Sequence, residues 1–262
     1  MSGEKNFLDT LNDGAKTKLP GGAHVKGELQ VDQSDRIDEY YDATPLCVKK
    51  AGAGAATGTA GDENLCMLNN SMWEYHVLGT QTTVAPSLGT YGLNIVQDET
   101  ENDGTEHCLG ISAVNKGVFT VGTSGAFFAT MKFYIDDVSG TDDCAFGFRK
   151  VEAYQAAIDD YDEMACLNVI SGDIKIETIL NGGATTTTDT TDNWADTEIH
   201  ELGIYVSAAG VVTYTIDGRA PTTTAAFTFD DGEVVVPFMY QLAAADPEAA
   251  AVEMIEFHCG LQ

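Results

Sequence analysis

The sequence is short of positive charge. Among 262 residues, 13 are Lys or Arg and 41 are Asp or Glu, a formal net charge of −28. Phosphate recognition draws its affinity from clustered Lys and Arg, so nucleic acid is excluded as a partner. Anionic membrane surfaces are excluded for the same reason. No run approaches the roughly 20 apolar residues that span a bilayer. Proline numbers only 6, and the 6 cysteines (Cys47, Cys66, Cys108, Cys144, Cys166, Cys259) form no CxxC pair. With the five histidines dispersed as well, a zinc cluster is not expected. The first residues lack the basic start and apolar run of a secretion signal, so synthesis in a host cytoplasm and reduced, structural cysteines are the expectation.

What is present is enough to build a core. Hydrophobic residues make up 44% and charged ones 21%, which excludes wholesale disorder. The charge is unevenly placed: residues 1–50 hold seven of the basic side chains against nine acidic ones, so nearly all the net negative charge falls on the remainder. Residues 1–45 lack apolar periodicity and contain Pro20-Gly21-Gly22, a strong break. They read either as a mobile tail or as an extended arm that orders on another protein. The candidate contacts of such an arm are Lys5, Phe7, Leu8, Leu11, Lys16, Lys18, Leu19, Lys26, Arg36, Tyr40 and Tyr41. Ala51–Gly61 has no bulky side chain to bury and reads as a linker. The expected organisation is an arm and linker over 1–61 and a folded body over 62–262.

The body is expected to be all-β. Phe127, Ala129, Met131, Phe133 and Ile135 alternate with Phe128, Thr130, Lys132 and Tyr134, the period of a half-buried antiparallel strand. Cys144–Arg149 and Ile174–Glu177 continue the pattern. His200, Leu202, Ile204 and Val206 share a face, Ser207–Gly210 turns the chain, and Val212, Tyr214 and Ile216 return. Asp217-Gly218 closes that strand with a pair favoured where φ is positive. Pro237 restricts Val234–Phe238 to an edge, a bulge or a strand end. A last strand, Val252–Leu261, places Ile255, Phe257, Cys259 and Leu261 together. Thr185–Thr188 with Asp189–Asp196 reads as a long exposed loop, and Glu152–Met164 as a short helix or a polar excursion. Strands without intervening helices indicate a two-sheet antiparallel sandwich.

The segments FFATMKFYIDD (127–137), CAFGFRK (144–150), IKIETILN (174–181) and HELGIYVSAAGVVTYTID (200–217) resemble the concanavalin-like or laminin-G-like jelly roll. Gly210–Gly218 looks like the hairpin that crosses its curved sheet. Phe227–Gly232, Val236–Phe238 and Phe257–Gln262 resemble, more narrowly, jelly-roll structural proteins of tailed phages that decorate or cement capsids. That resemblance implies a non-enzymatic homo-oligomer on the outer capsid surface of a virion, without cofactor, whose arm binds a major capsid protein. The alternative it implies is a lectin-like module that binds a glycan, with calcium as a possible ion.

The residues themselves carry chemistry weakly. The two carboxylates of a glycosidase are not found in the E-x-D-x-x-E order of laminarinase-like enzymes, and Asp173 and Glu177 are expected at the surface around Lys175. Asp136, Asp137, Asp142 and Asp143 flank one turn and are the candidate calcium ligands, though solvated strand ends explain them as well. Trp194, in the polar loop 192–196, is the candidate for stacking on a sugar, and Trp73 is expected to be a buried anchor. His200 is expected as a hydrogen-bonded core residue.

Overall fold

The structure, a computed structural model, describes residues 36–40, 46–48, 63–68, 71–79, 87–95, 102–109, 118–244 and 251–262. The strands of the first half are β1 (Arg36–Tyr40), β2 (Leu46–Val48), β3 (Glu63–Leu68), β4 (Ser71–Leu78), β5 (Ser87–Leu88), β6 (Leu93–Asn94), β7 (Gly104–Leu109) and β8 (Phe119–Thr120). β9 (Phe127–Ile135), β10 (Thr141–Lys150), β11 (Met164–Ile170), β12 (Asp173–Ile179) and β13 (Thr186–Asn193) follow. β14 (Glu198–Val206), β15 (Val212–Ile216), β16 (Val234–Ala243) and β17 (Val252–Leu261) complete the chain.

All pairings are antiparallel, and they build two sheets. The smaller runs β15-β14-β9-β17-β6-β5, with β1 also on β17; the larger runs β13-β12-β11-β10-β16-β7-β4-β3-β2, with β8 on β16. Both lie within Asp35–Gln262. The fold is therefore the all-β sandwich expected from the strand periodicity. The inner faces meet through Phe127, Met131 and Phe133 of β9 and Phe146, Leu167 and Ile176 of the larger sheet, all fully buried. Trp73 meets Phe257 edge-on at 4.8 Å between the sheets, so it is a buried anchor as expected. Each such side chain removes apolar surface worth about 1.5–3 kcal/mol from water.

A second, smaller core lies on the opposite face of the larger sheet. There Ile158 and Tyr161, from the β10–β11 connection, cover Phe238, Tyr240 and Cys166. The connection contains only a 3-10 turn at Ile158–Asp160, so the helical alternative does not form.

Several boundaries differ from expectation, each for a local reason. β1 pairs with β17 along its whole length, from Arg36↔Gly260 to Tyr40↔Glu256, and β2 pairs with β3. The sandwich thus takes in two strands of the span expected to be arm and linker. Strands of five and three residues are too short to show a periodicity, so the sequence did not mark them.

Thr186–Asn193 is an edge strand on β12, not a loop. Its outward face is threonine and aspartate, so it lacks the apolar alternation that marks a strand, while β-branched threonine suits the pleat. Pro237 sits inside β16, a central strand. It falls in the interval where that strand's partner changes from β8, at Val234–Val235, to β7, at Phe238–Leu242, so no ladder bond is needed on that side. In β17 the register skips at Ile255, a bulge that puts Val252 and Met254 in the core with Phe257 and Cys259, while Leu261 is exposed. The Asp217-Gly218 turn matches expectation: φ is 50° and 72°, and Ile216 and Arg219 close it with bonds of 2.8 and 3.0 Å.

Candidate functional site

Alternation along β9 and β14 buries one set of side chains and presents the other on the outside of the smaller sheet. On that outer face Tyr205 is the register partner of Phe128, Gly203 of Thr130, and Glu201 of Lys132. The next strands add Gly260 beside Phe128, His258 beside Thr130, and Thr215 beside Gly203. Phe128 and Tyr205 stack with their rings 5.8 Å apart and 16° from parallel, both half-buried. Gly203 leaves room between them and the polar rows: a Cβ there would stand 2.4 Å from Thr215 Oγ1 and 3.1 Å from the Tyr205 ring.

The result is a depression of about 370 Å³ lined by Phe128, Thr130, Glu201, Tyr205 and Gln262. That size lies at the small end of ligand sites, roughly 300–1,000 Å³. One wall is aromatic, the floor is small, and the rest offers a hydroxyl, an amide and a carboxylate. Gln262 is held by its own Nε2, which donates to the Phe127 carbonyl at 2.9 Å. Among the described residues neither the Glu201 carboxylate nor the Lys132 ammonium makes a hydrogen bond or close ion pair, although the Lys132 charge is felt by Asp217. Asp217 is engaged: it accepts the Glu201 amide at 2.9 Å and pairs with His200.

His200 itself is not a core residue. Its side chain is 21% exposed at the sandwich rim, with Nδ1 2.7 Å from Asp217 and Nε2 3.0 Å from Glu198. Burial pulls its pKa down, but the bonds and charges of the two carboxylates outweigh that and hold it above the ordinary histidine value. Trp194 packs beneath it, 4.5 Å from Phe133 and 4.7 Å from His200. At 2% exposure Trp194 offers no face to a sugar. The polar loop suggested an exposed ring, but the loop's edge strand folds the indole inward, and its Nε1 donates to the Glu198 carbonyl at 3.3 Å. Trp194 is a core anchor, and the stacking role assigned to it is corrected.

Three of the four candidate calcium ligands are engaged by local bonding. Asp136 accepts the Tyr134 hydroxyl at 2.6 Å, and Asp137 caps the 3-10 turn through Ser139, at 2.8 and 2.7 Å. Asp142 is exposed, and Asp143 turns to the outer face of the larger sheet, where Asn168 Nδ2 donates to it at 2.6 Å. Among the described residues no group of three or more His, Cys, Asp or Glu side chains could hold a metal ion. Asn168 also donates to Glu177 at 2.8 Å, so Asp143 and Glu177 are tied together, and burial pushes Asp143 up to about 6. Glu177 is thereby buried away from Lys175, which stands 4.0 Å from Asp173.

A buried ion pair sits on the same outer face. Arg149 Nε donates to Glu106 at 2.6 Å, with both side chains 0% exposed. Tyr161 donates its hydroxyl to Glu106, and Arg149 Nη1 reaches the Lys150 and Glu152 carbonyls at 2.9 and 3.3 Å. The guanidinium lies 4.7 Å from the Tyr161 ring centroid and 5.4 Å from that of Tyr154. This network fastens the β10–β11 connection onto the sheet.

Of the expected arm contacts, Arg36 and Tyr40 lie on β1 with their side chains outside the described residues. Lys5, Phe7, Leu8, Leu11, Lys16, Lys18, Leu19, Lys26 and Tyr41 lie outside the described residues altogether. The residues that line the depression carried a faint signal in the sequence. Phe128 and Tyr205 are aromatics on the polar side of two amphipathic strands, but their pairing needed the register.

No family model and no curated protein matches the sequence. Solved structures do. The carbohydrate recognition domain of Emp46p in its potassium-bound form aligns at a TM-score of 0.51 and 9% identity, over 72% of this chain and 88% of that one. That of Emp47p aligns at 0.49 and 13%, over 72% and 88%. The Pseudomonas aeruginosa alginate lyase PA1167 aligns at 0.46 and 11%, over 73% and 83%. The likeness to the Emp46p domain agrees with the concanavalin-like sandwich fold expected from the sequence, and at this identity it concerns the fold alone.

Proposed function

We propose that this chain is a carbohydrate-binding module that holds a sugar on the outer face of its smaller sheet, without catalysis. The observation that carries the proposal is the depression at Phe128 and Tyr205. Sugars have an apolar face of C–H bonds and a rim of hydroxyls. A stacked aromatic wall takes the first, and the Thr130 hydroxyl, the Gln262 amide and the Glu201 carboxylate take the second. The lectin-type architecture is compatible with this reading. The four aspartates proposed for calcium carry no part of it, since Tyr134, Ser139 and Asn168 already engage three of them.

The capsid-decorating role gains no support from the described residues. It rested on the resemblance of Phe227–Gly232, Val236–Phe238 and Phe257–Gln262 to phage proteins, and on an arm that lies largely outside the described residues and whose span contributes β1 and β2 to the sandwich. The test is a glycan array probed with the wild-type chain and with Tyr205→Ala and Phe128→Ala. Binding by the wild type that both variants lose, while their circular dichroism is unchanged, supports the reading. Absence of glycan binding, or binding indifferent to both substitutions, refutes it.

A further inference from the structure

The depression also discriminates by charge. We infer that its preferred ligand is a sugar bearing a free ammonium group, an amino-hexose unit rather than a neutral or acidic one; this rests on the carbohydrate reading above. The Glu201 carboxylate lines the cavity, yet no described donor satisfies it. An ammonium is the ligand group that gains most from an unpaired carboxylate, since charge-assisted bonds are about twice as strong as neutral ones. The neighbouring wall suits the same group, because the faces of Phe128 and Tyr205 attract cations.

The surroundings push in one direction. Among the described side chains, the charged or titratable groups on this outer face are Glu201, Asp217 and Glu256, with Lys132, His258, Tyr134 and Tyr205, and Glu253 stands at its far end. Glu253 is occupied by the amides of Thr90, Tyr91 and Gly92 at 3.0, 2.5 and 2.9 Å. Asp217 is held by His200 and by the Glu201 amide. Glu201 is therefore the carboxylate free to take a new partner in the cavity. A uronate or sulfated sugar would bring a second anion to this negative face, inside a chain of net charge −28. Lys132, the register partner of Glu201, is the internal rival for its carboxylate.

Calorimetry on the full chain separates the possibilities. Glucosamine oligomers, N-acetylglucosamine oligomers of equal length and galacturonate oligomers are compared in mildly acidic buffer, where the sugar amine is protonated. The free-amine oligomer is expected to bind about tenfold or more tightly than its acetylated form, as one charge-assisted bond implies. Glu201→Gln should erase that preference, and Lys132→Gln, which removes the rival cation, should increase it. Equal or tighter binding of the acetylated or uronate oligomer by the wild type overturns the inference, as does a preference that survives in Glu201→Gln. If the glucosamine oligomer does not bind while another glycan does, in a manner lost with Tyr205→Ala, the charge inference falls and the carbohydrate reading stands. If no glycan binds at all, both fall.

Discussion

Replacing Arg149 by Met tests the second core and the chain that covers it. The guanidinium and the Glu106 carboxylate are both 0% exposed and 2.6 Å apart. Burial disfavours the guanidinium charge, and Glu106 and Tyr161 more than offset it, so Arg149 stays protonated well above its ordinary range. Removing Arg149 leaves the buried Glu106 carboxyl group without its cation, with only the Tyr161 hydroxyl as partner. Breaking a buried pair in this way costs about 3–5 kcal/mol, whereas replacing both partners by apolar residues costs much less. At about 2–4 °C per kcal/mol for a body of this size, Arg149→Met should lower Tm by roughly 6–20 °C. The double variant Glu106→Leu with Arg149→Met should recover a large part of that. Urea unfolding followed by tryptophan fluorescence reads both, since Trp73 and Trp194 are buried. A loss below about 1 kcal/mol, the range of exposed ion pairs, would refute the reasoning and mean that water reaches Arg149.

Three further outcomes follow from the same geometry. Trp194→Ala should cost about 3–5 kcal/mol in urea unfolding, the range for a buried aromatic, while the folded fraction keeps any glycan affinity. Burial raises Glu163 to about 7, and its Oε2 lacks a partner, so the folded chain favours the protonated form and loses stability as pH rises through that value. Glu163→Gln, which keeps the bond to the Asp230 amide, should therefore be more stable than wild type at pH 8 and lose that advantage at pH 5. His200 has the opposite sign. Its raised pKa makes a contribution that is complete below about 6.5 and fades as pH rises through the folded value, so the wild-type advantage over His200→Gln should shrink toward pH 8.

The site was only partly legible in advance. Alternation assigned Phe128 and Thr130 to the outer face of β9, because period two follows from strand geometry alone. It could not pair Phe128 with Tyr205, since the two are distant in sequence and meet through the β9–β14 register. Trp194 misled for the same reason. A polar neighbourhood in sequence says nothing about which way an edge strand turns its one large ring. Nor did an even run of aspartates show that Tyr134, Ser139 and Asn168 would each claim one.

By itself, then, the sequence determined the class of fold, the inner face of β9, and the β14–β15 hairpin with its Asp217-Gly218 turn. These are consequences of local period and backbone preference, which need no knowledge of distant neighbours. The tertiary structure alone decided that β1 closes on β17, that Ile255 bulges, that Arg149 is buried against Glu106, and that a cavity opens beside Phe128 and Tyr205. Each depends on which strands become neighbours and in what register, and that outcome is set by long-range pairing.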